Sequence, residues 1–559
     1  MARLKSITFV SLVVIVASVA VLLLVPVERD RVRSALVNAE FDARLREQAR
    51  AHPNDAQIWL ALAAGSIAPF DGLPRTMDAF DQLFKLKPRW AVPHLVLGTD
   101  LARRGRLVRV REFAALYADD PGRPRPTGRP LTKEQREALK RAIMALETAR
   151  SLDSQNAAPD YLLAYLALVE HRDGNAVALL RSGLRKNRWD LGRRDVTIAC
   201  YDAYRHTMPQ LEAGFDAMFG AYVFHGGMLR ELARVVTDMA VLAQQRGDDE
   251  QAIFLRESMM HLGALVMTNG YTLIDVLSGG VAVWRISVGT RLTPEENAMA
   301  VSGVPEPKPH ESGERRARWY QALEKAQGAK FVVYLRAHGR ADLAERITVF
   351  AREHRAWSRR ALSATNASDA RLFRTLRVLS AFRQALIGAG GALGLLVLCG
   401  LACLALRAAG RRPAPMVWAR WKWALVVVGC LIVTLGGGMA LLRGRWWSSP
   451  MPGFADETTA APWGRLFVLA ALPLVVLSTL LIVWVVRRRS AAADRPGFVR
   501  QYVATLGAVL APLVAILLLG CVVMSVPVVI RANDQARRFR IMVYRGELAY
   551  LGLKPPMAK

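Results

Sequence analysis

Cysteine is scarce and badly placed for cross-linking. Of the five in 559 residues, Cys399, Cys403, Cys430 and Cys521 fall inside apolar runs, where a thiol is a small hydrophobe. Only Cys200 lies in a polar stretch, and no CxxC pair occurs, so neither a disulfide framework nor a zinc ligand set is expected. There is no P-loop, HExxH, GxSxG or dinucleotide GxGxxG. The nine histidines are scattered outside the apolar runs. The nearest approaches to an acid/base pair, His206 near Asp202 and His310 beside Glu311, read as surface pairs. No residue is nominated as catalytic, cofactor-binding or metal-ligating, and no cofactor is expected. Asn366-Ala-Ser matches a glycosylation sequon, which carries no meaning in a bacterium. Convincing β alternation is absent too.

What is present is segregated. The chain is 52% hydrophobic and 22% charged, and the two properties occupy different stretches. Ser6 to Val27 is apolar, preceded by Arg3 and Lys5. Gln384 to Leu406 is uncharged and bounded by Arg383 and Arg407, and three further apolar runs cover 423–442, 466–486 and 501–530. At ~1.5 Å per residue each is long enough for a hydrocarbon core of ~30 Å. The four runs after Arg383 contain no Asp, Glu, Lys, Arg or His, which speaks against an ion-coupled carrier. For the first run the reading is an uncleaved anchor. A secretory signal has the same basic start, and Ala17 to Ala20 resembles its cleavage site, but the apolar run continues to Val27.

Two short basic loops, one with Arg407, Arg411, Arg412, Arg420 and Lys422 and one with Arg487 to Arg489, Arg495 and Arg500, are expected to be cytoplasmic. Between them, Asp456, Glu457, Trp446, Trp447 and Trp463 suit the outer face. The alternation puts the N-terminus inside and the large domain and C-terminal tail outside. Arg531, Arg537, Arg538, Arg540 and Arg545 in the tail disagree with that placement. The net charge of +29 accompanies these flanking arginines, so phospholipid headgroups or an acidic protein are expected as partners rather than nucleic acid. Heavy Arg and Ala usage fits a bacterial chain.

Residues 28–381 repeat apolar positions at helical spacing between short turn signals. Thr76, Phe80, Leu83, Leu86 and Pro88 are followed by Leu97, Gly98, Leu101 and Gly105. Ala142, Leu146, Ala149 and Leu152 fit a second helix, and Leu163, Ala164, Ala167, Ala176, Leu180 and Gly183 fit a whole repeat. Gly247 with Ala252, and Gly339 with Ala344 and Ala351, extend the series. This pattern resembles the tetratricopeptide repeat, in which small residues let paired helices approach. It departs from that repeat in its missing closing prolines and in the insertion Asp120 to Pro130. Generic antiparallel helix pairs are the other reading.

Thr132 with Gln135, and Thr293 with Glu296 and Pro294, predict capped helix starts. Leu262 to Val288 predicts a buried helix pair, with a further membrane segment as the alternative. Gly303 to Gly313 predicts a loop. Arg352 to Arg383 predicts a basic helix that either lies against anionic headgroups or continues solvated into the next run. Gly390 and Gly394 have GxxxG spacing, and Gly436 to Gly438 offer a second small-residue face, both suited to close helix packing.

The expected fold class is all-α, with an α-solenoid (TPR-like) domain between an N-terminal transmembrane anchor and a C-terminal four-helix transmembrane bundle. The boundaries are 1–27 anchor, 28–381 extracytoplasmic repeat domain, 382–530 four-span domain and 531–559 basic tail. The expected function is a multi-pass inner-membrane scaffold that binds a protein partner, with membrane lipid as its other contact and neither metal nor nucleic acid. A component of a transport or export system, and an envelope enzyme with an unrecognised site, are the alternatives.

Overall fold

The structure is a computed structural model that describes residues 2–23, 41–65, 77–104, 131–205, 210, 213–214, 217–218, 225–288, 292–305, 314–410, 480, 484 and 497–555. Among the described residues the chain is helical and no strand forms. It divides into two compact units: residues 38–368 with 536–559, and residues 1–37 with 369–535.

In the larger unit the helices run α2 (Phe41–Ala51), α3 (Ala56–Gly65), α4 (Met77–Leu86), α5 (Ala91–Arg104), α6 (Lys133–Leu152), α7 (Ala158–Val169), α8 (Asp173–Leu184) and α9 (Arg193–Tyr204). They continue with α10 (His225–Gln245), α11 (Asp249–Asn269), α12 (Leu273–Val288), α13 (Pro294–Ala300), α14 (Glu314–Ala337) and the first part of α15 (Ala341–Ala408). Neighbours in sequence pack as neighbours in space from α2 through α8 and again from α10 through α12. Contacts also skip along the chain: α9 packs on α3, α8 on α11, and α12 on α14.

Small residues set the helix crossings. A Cβ on Gly98 of α5 would stand 2.7 Å from Leu146 Cγ and 3.2 Å from the Ala142 carbonyl of α6, so the expected partners meet across the Asp120 to Pro130 insertion, which lies outside the described residues. Gly183 of α8 lies under the Tyr161 ring of α7 in the same way. The stretch Leu262 to Val288 is a helix pair in this unit, turning at Gly270, with Gly263 and Gly279 in backbone contact. Both expected capping boxes are formed, at Thr132 and Thr293. Among the described residues, four helix ends close on a left-handed residue followed by a backbone N–H that returns five residues: Arg172 to Ala167, Asp248 to Ala243, Arg340 to Leu335 and Leu553 to Leu548. Glycine occupies the left-handed position in three of them, and His171 (φ 57°) in the fourth.

The chain's C-terminal end belongs to this unit. α16 (Phe498–Arg545) finishes in it, and Gly546 (φ 89°) turns the chain into α17 (Glu547–Leu551). Tyr271 donates its hydroxyl to the Met542 carbonyl at 3.1 Å, and its own carbonyl accepts from the Glu547 N–H at 3.0 Å. The Glu547 carboxylate in turn accepts from the Leu273 N–H at 2.7 Å, supplying the start of α12 with an acceptor from the far end of the sequence. Tyr544 donates to Asp202 at 2.8 Å, Trp357 to the Lys554 carbonyl at 2.7 Å, and Ser368 to the Tyr550 hydroxyl at 2.7 Å.

The smaller unit contains α1 (Ala2–Leu23) and the membrane-length parts of α15 and α16. Among the described residues, two helical stretches are long and apolar enough to cross a membrane: Ala389–Ala408 within α15, and α16. They pack through Cys399, Leu506, Leu510 and Leu513, flanked by Leu395, Leu396, Tyr502 and Val503. Val397, Leu398, Leu401 and Leu404 on one helix and Leu519, Val523 and Val526 on the other remain exposed, as lipid-facing side chains would be. Pro512 and Pro527 sit inside α16, each removing one helical hydrogen bond. No break separates the basic segment from the apolar run, because α15 is one continuous helix of 68 residues. Gly390 and Gly394 meet nothing within 4 Å. The expected spans 423–442 and 466–486 lie outside the described residues apart from Leu480 and Trp484, as do residues 24–27 of the expected anchor and 306–313 of the expected loop.

Gly98→Val should cost about 1–3 kcal/mol through overpacking against Leu146, read as a lower urea midpoint of the full-length protein in detergent. A second expectation concerns pH. His354 packs over Gly280 and stacks on Phe350 at 5.0 Å between ring centroids, and burial lowers its pKa below 6.5. With the folded value depressed, the unfolded chain binds more protons. The contribution of this imidazole is therefore undiminished above about pH 6.5 and is lost progressively as pH falls below it. Melting temperatures followed from neutral to mildly acidic pH should fall less steeply for His354→Gln than for the native chain.

Candidate interaction site

Two loops of the helical unit meet at Asn156, which is 2% exposed. Its side-chain amide donates to the Asp190 carbonyl at 2.8 Å, and its carbonyl oxygen accepts from the N–H groups of Asp190 at 3.0 Å and Ala158 at 3.1 Å. One side chain thus pairs with a backbone as a strand would, and the only bridge among the described residues joins Asn156 to Arg188. A turn further on, Asp160 is fully buried in the first turn of α7, where the helix N-terminus favours an anion. Arg150 from the end of α6 reaches it at 3.0 Å, and Lys186 from the loop after α8 pairs with its other oxygen. The Lys186 carbonyl is held by His261 Nε2 of α11 at 2.7 Å, and Tyr161 donates to the Ser258 carbonyl of α11 at 3.1 Å. Four structural segments are joined through one carboxylate and its cations.

Against this node lies an open groove of about 260 Å³. Its apolar lining comes from Ile143 of α6, Leu163 and Ala167 of α7, and Ala178 and Leu179 of α8, with Glu147, Arg150, Arg172 and Asn175 supplying the polar atoms. Arg172 is paired with Glu170. The volume falls below the ~300 Å³ at which small-molecule pockets begin, and the groove is open. It suits one or two side chains of another polypeptide.

A second cluster of titratable groups is Asp249, Arg256, Tyr334 and His338, between α11 and α14. Tyr334 donates to Asp249 Oδ1 at 2.6 Å, His338 Nε2 lies 3.1 Å from Oδ2, and His338 Nδ1 lies 2.8 Å from the Tyr334 carbonyl. The Tyr334 hydrogen bond, more than any charge, holds the Asp249 carboxyl below its usual range. Burial and the same hydrogen bond push the Tyr334 phenol up. Such a phenol stays a protonated donor, the opposite of an activated nucleophile. Burial brings Arg256 down to about 10, still cationic at neutral pH. It lies over the rings of Phe331 at 4.9 Å and Tyr334 at 5.6 Å, and donates to Gln244 at 2.9 Å. This is a packed cation.

Cys200 is fully buried, which raises its thiol to about 12 and removes it as a thiolate at neutral pH. Asp202 accepts from Tyr544 and pairs with Arg205 at 3.2 Å, whereas His206, His310 and Glu311 lie outside the described residues. Among the described residues no three His, Cys, Asp or Glu side chains come close enough to hold a metal ion.

Sequence reasoning missed both Asn156 and Asp160. Pro159 signals a helix start, but nothing local names Lys186 or Asp190 as partners.

Lys186→Met, which leaves the buried Asp160 with Arg150 alone, should destabilise the helical unit by about 3 kcal/mol, visible as a lower urea midpoint with an unchanged slope. Compared with family models, with curated proteins and with solved structures, the chain matches none of them significantly.

Proposed function

We propose that this chain is a multi-pass membrane scaffold whose helical domain binds a protein partner, and that the groove between α6, α7 and α8 receives a segment of that partner. The observation that carries the reading is the groove itself, with apolar side chains for a floor and guanidinium groups at its edge on layered helix pairs. Glycines at the α5–α6 and α7–α8 crossings support a tetratricopeptide-like arrangement of those pairs. α15 and α16 both begin or end in the helical unit and continue into apolar stretches of membrane length, which supports a domain held at the bilayer by its own helices.

Residues 536–555 fold into the same unit as residues 38–368, which supports a reading in which the domain and the C-terminal tail share one face of the membrane. That agrees with an even number of crossings between Gln384 and Ile530, as four spans require. With the two short basic loops on the cytoplasmic side, the shared face is extracytoplasmic, at the inner membrane of a bacterium.

Affinity purification of tagged full-length protein from gently solubilised membranes should bring down a stoichiometric protein. The double variant Ile143→Glu with Leu179→Glu, which charges the half-buried groove floor, should lose it while keeping the native melting temperature. A partner retained at full stoichiometry by that variant would place binding elsewhere and remove the groove from the proposal.

A further inference from the structure

The charge of +29 is unevenly distributed. Residues 28–350 carry 46 basic against 40 acidic side chains, whereas residues 351–559 carry 28 against 7. The body of the helical domain is close to balanced, and the excess sits where the chain meets its apolar runs. Arg352 to Arg383, ahead of the first such run on α15, holds eight arginines against Glu353 and Asp369. Arg531 to Arg545, after the last run on α16, holds five against Asp534.

Placement on the helices sharpens this. On α16 the exposed apolar surface includes Val523 at 66%, Val526 at 60% and Ile530 at 64%, and the next residue, Arg531, is exposed as well. The surface changes from hydrocarbon-compatible to cationic across one peptide bond, which marks the level of the headgroups. Helical side chains lean toward their own N-terminus, so arginines following the run on α16 reach back toward the bilayer. On α15, Thr375, Leu379 and Phe382 are buried on one face, while Arg371 and Arg374 are exposed. Arg374 lies ten residues before Gln384, about 15 Å along the helix. Its Nε donates back to the Ala370 carbonyl at 3.1 Å, and the packing of Cys399 beside Gly507, 25 residues after Arg374 on α15 and 24 before Arg531 on α16, sets the two arginines at about the same level.

We infer that Arg371, Arg374 and Arg531 belong to a binding collar for anionic phospholipid headgroups on the membrane face that carries the helical domain. The chemistry fits: a guanidinium engages a phosphate through two parallel N–H donors, and headgroups of net negative charge lack the internal cation that offsets the phosphate of zwitterionic lipid. The near balance of residues 28–350 argues against an acidic protein as the general counter-charge. This inference rests on the membrane reading of α15 and α16.

The test uses the full-length protein in lipid nanodiscs of phosphatidylcholine with or without phosphatidylglycerol, with retained lipid counted by native mass spectrometry. The native chain should retain phosphatidylglycerol preferentially, and added salt should weaken the preference. Arg371→Gln, Arg374→Gln and Arg531→Gln together should reduce it by about fivefold per arginine, on the order of a hundredfold in all. The corresponding triple Lys variant, which keeps the charge and controls for folding, should retain most of it. An unchanged lipid preference in the Gln variant overturns the collar while leaving the membrane reading intact. So does an acidic protein that co-purifies with the native chain and is lost from the Gln variant while its lipid is not. Failure to enter nanodiscs of either composition overturns the membrane reading and the collar with it.

Discussion

A carboxylate with no exposure to water must be balanced by cations that are held in place, and Asp160 makes that demand at the centre of the helical unit. Its two cations come from opposite directions in the sequence, Arg150 from the preceding helix and Lys186 from the loop after the next pair. Satisfying one charge therefore sets the end of α6, the start of α7 and the loop before α9 relative to each other. Asn156 sets the same loops by backbone pairing, and His261 and Tyr161 extend the arrangement to α11. The groove depends on this node because Arg150 serves both: the guanidinium that neutralises Asp160 also lines the groove.

A second constraint is the return of the C-terminus. α16 ends among α9, α12 and α15, where three tyrosines, Tyr271, Tyr544 and Tyr550, take part in hydrogen bonds and Glu547 caps α12. A tyrosine can place an apolar ring in a helix interface and still deliver one hydrogen bond at its tip, which suits a joint between distant segments. An open solenoid has no use for such a joint, since each repeat contacts only its neighbours. Here the last residues of the chain complete the start of a helix far earlier in it.

Local signals were well conserved between the sequence and the three-dimensional arrangement. Thr132 with Gln135 and Thr293 with Glu296 needed only a spacing of three residues, and both capping boxes form. Gly98 facing Ala142 and Leu146 was legible because close crossings demand small residues at helical spacing. The continuity of α15 through Arg383 was one of two readings, since no Pro or Gly separates the basic segment from the apolar run. The Asp160 node and the C-terminal joint were illegible for a common reason. Asp160 resembles any first-turn acid, and Tyr544 any residue of an amphipathic helix, until their partners are known.

By itself the sequence determined the helical class, the positions of the caps and crossings, and two of the stretches suited to a bilayer, because each follows from chemistry within a few turns of one helix. Only the tertiary structure decided which distant segments share a unit, where a buried charge finds its cations, and that a groove opens between α6, α7 and α8. Those features are set by contacts between residues tens to hundreds of positions apart, and no periodicity along the chain encodes the partner at the other end.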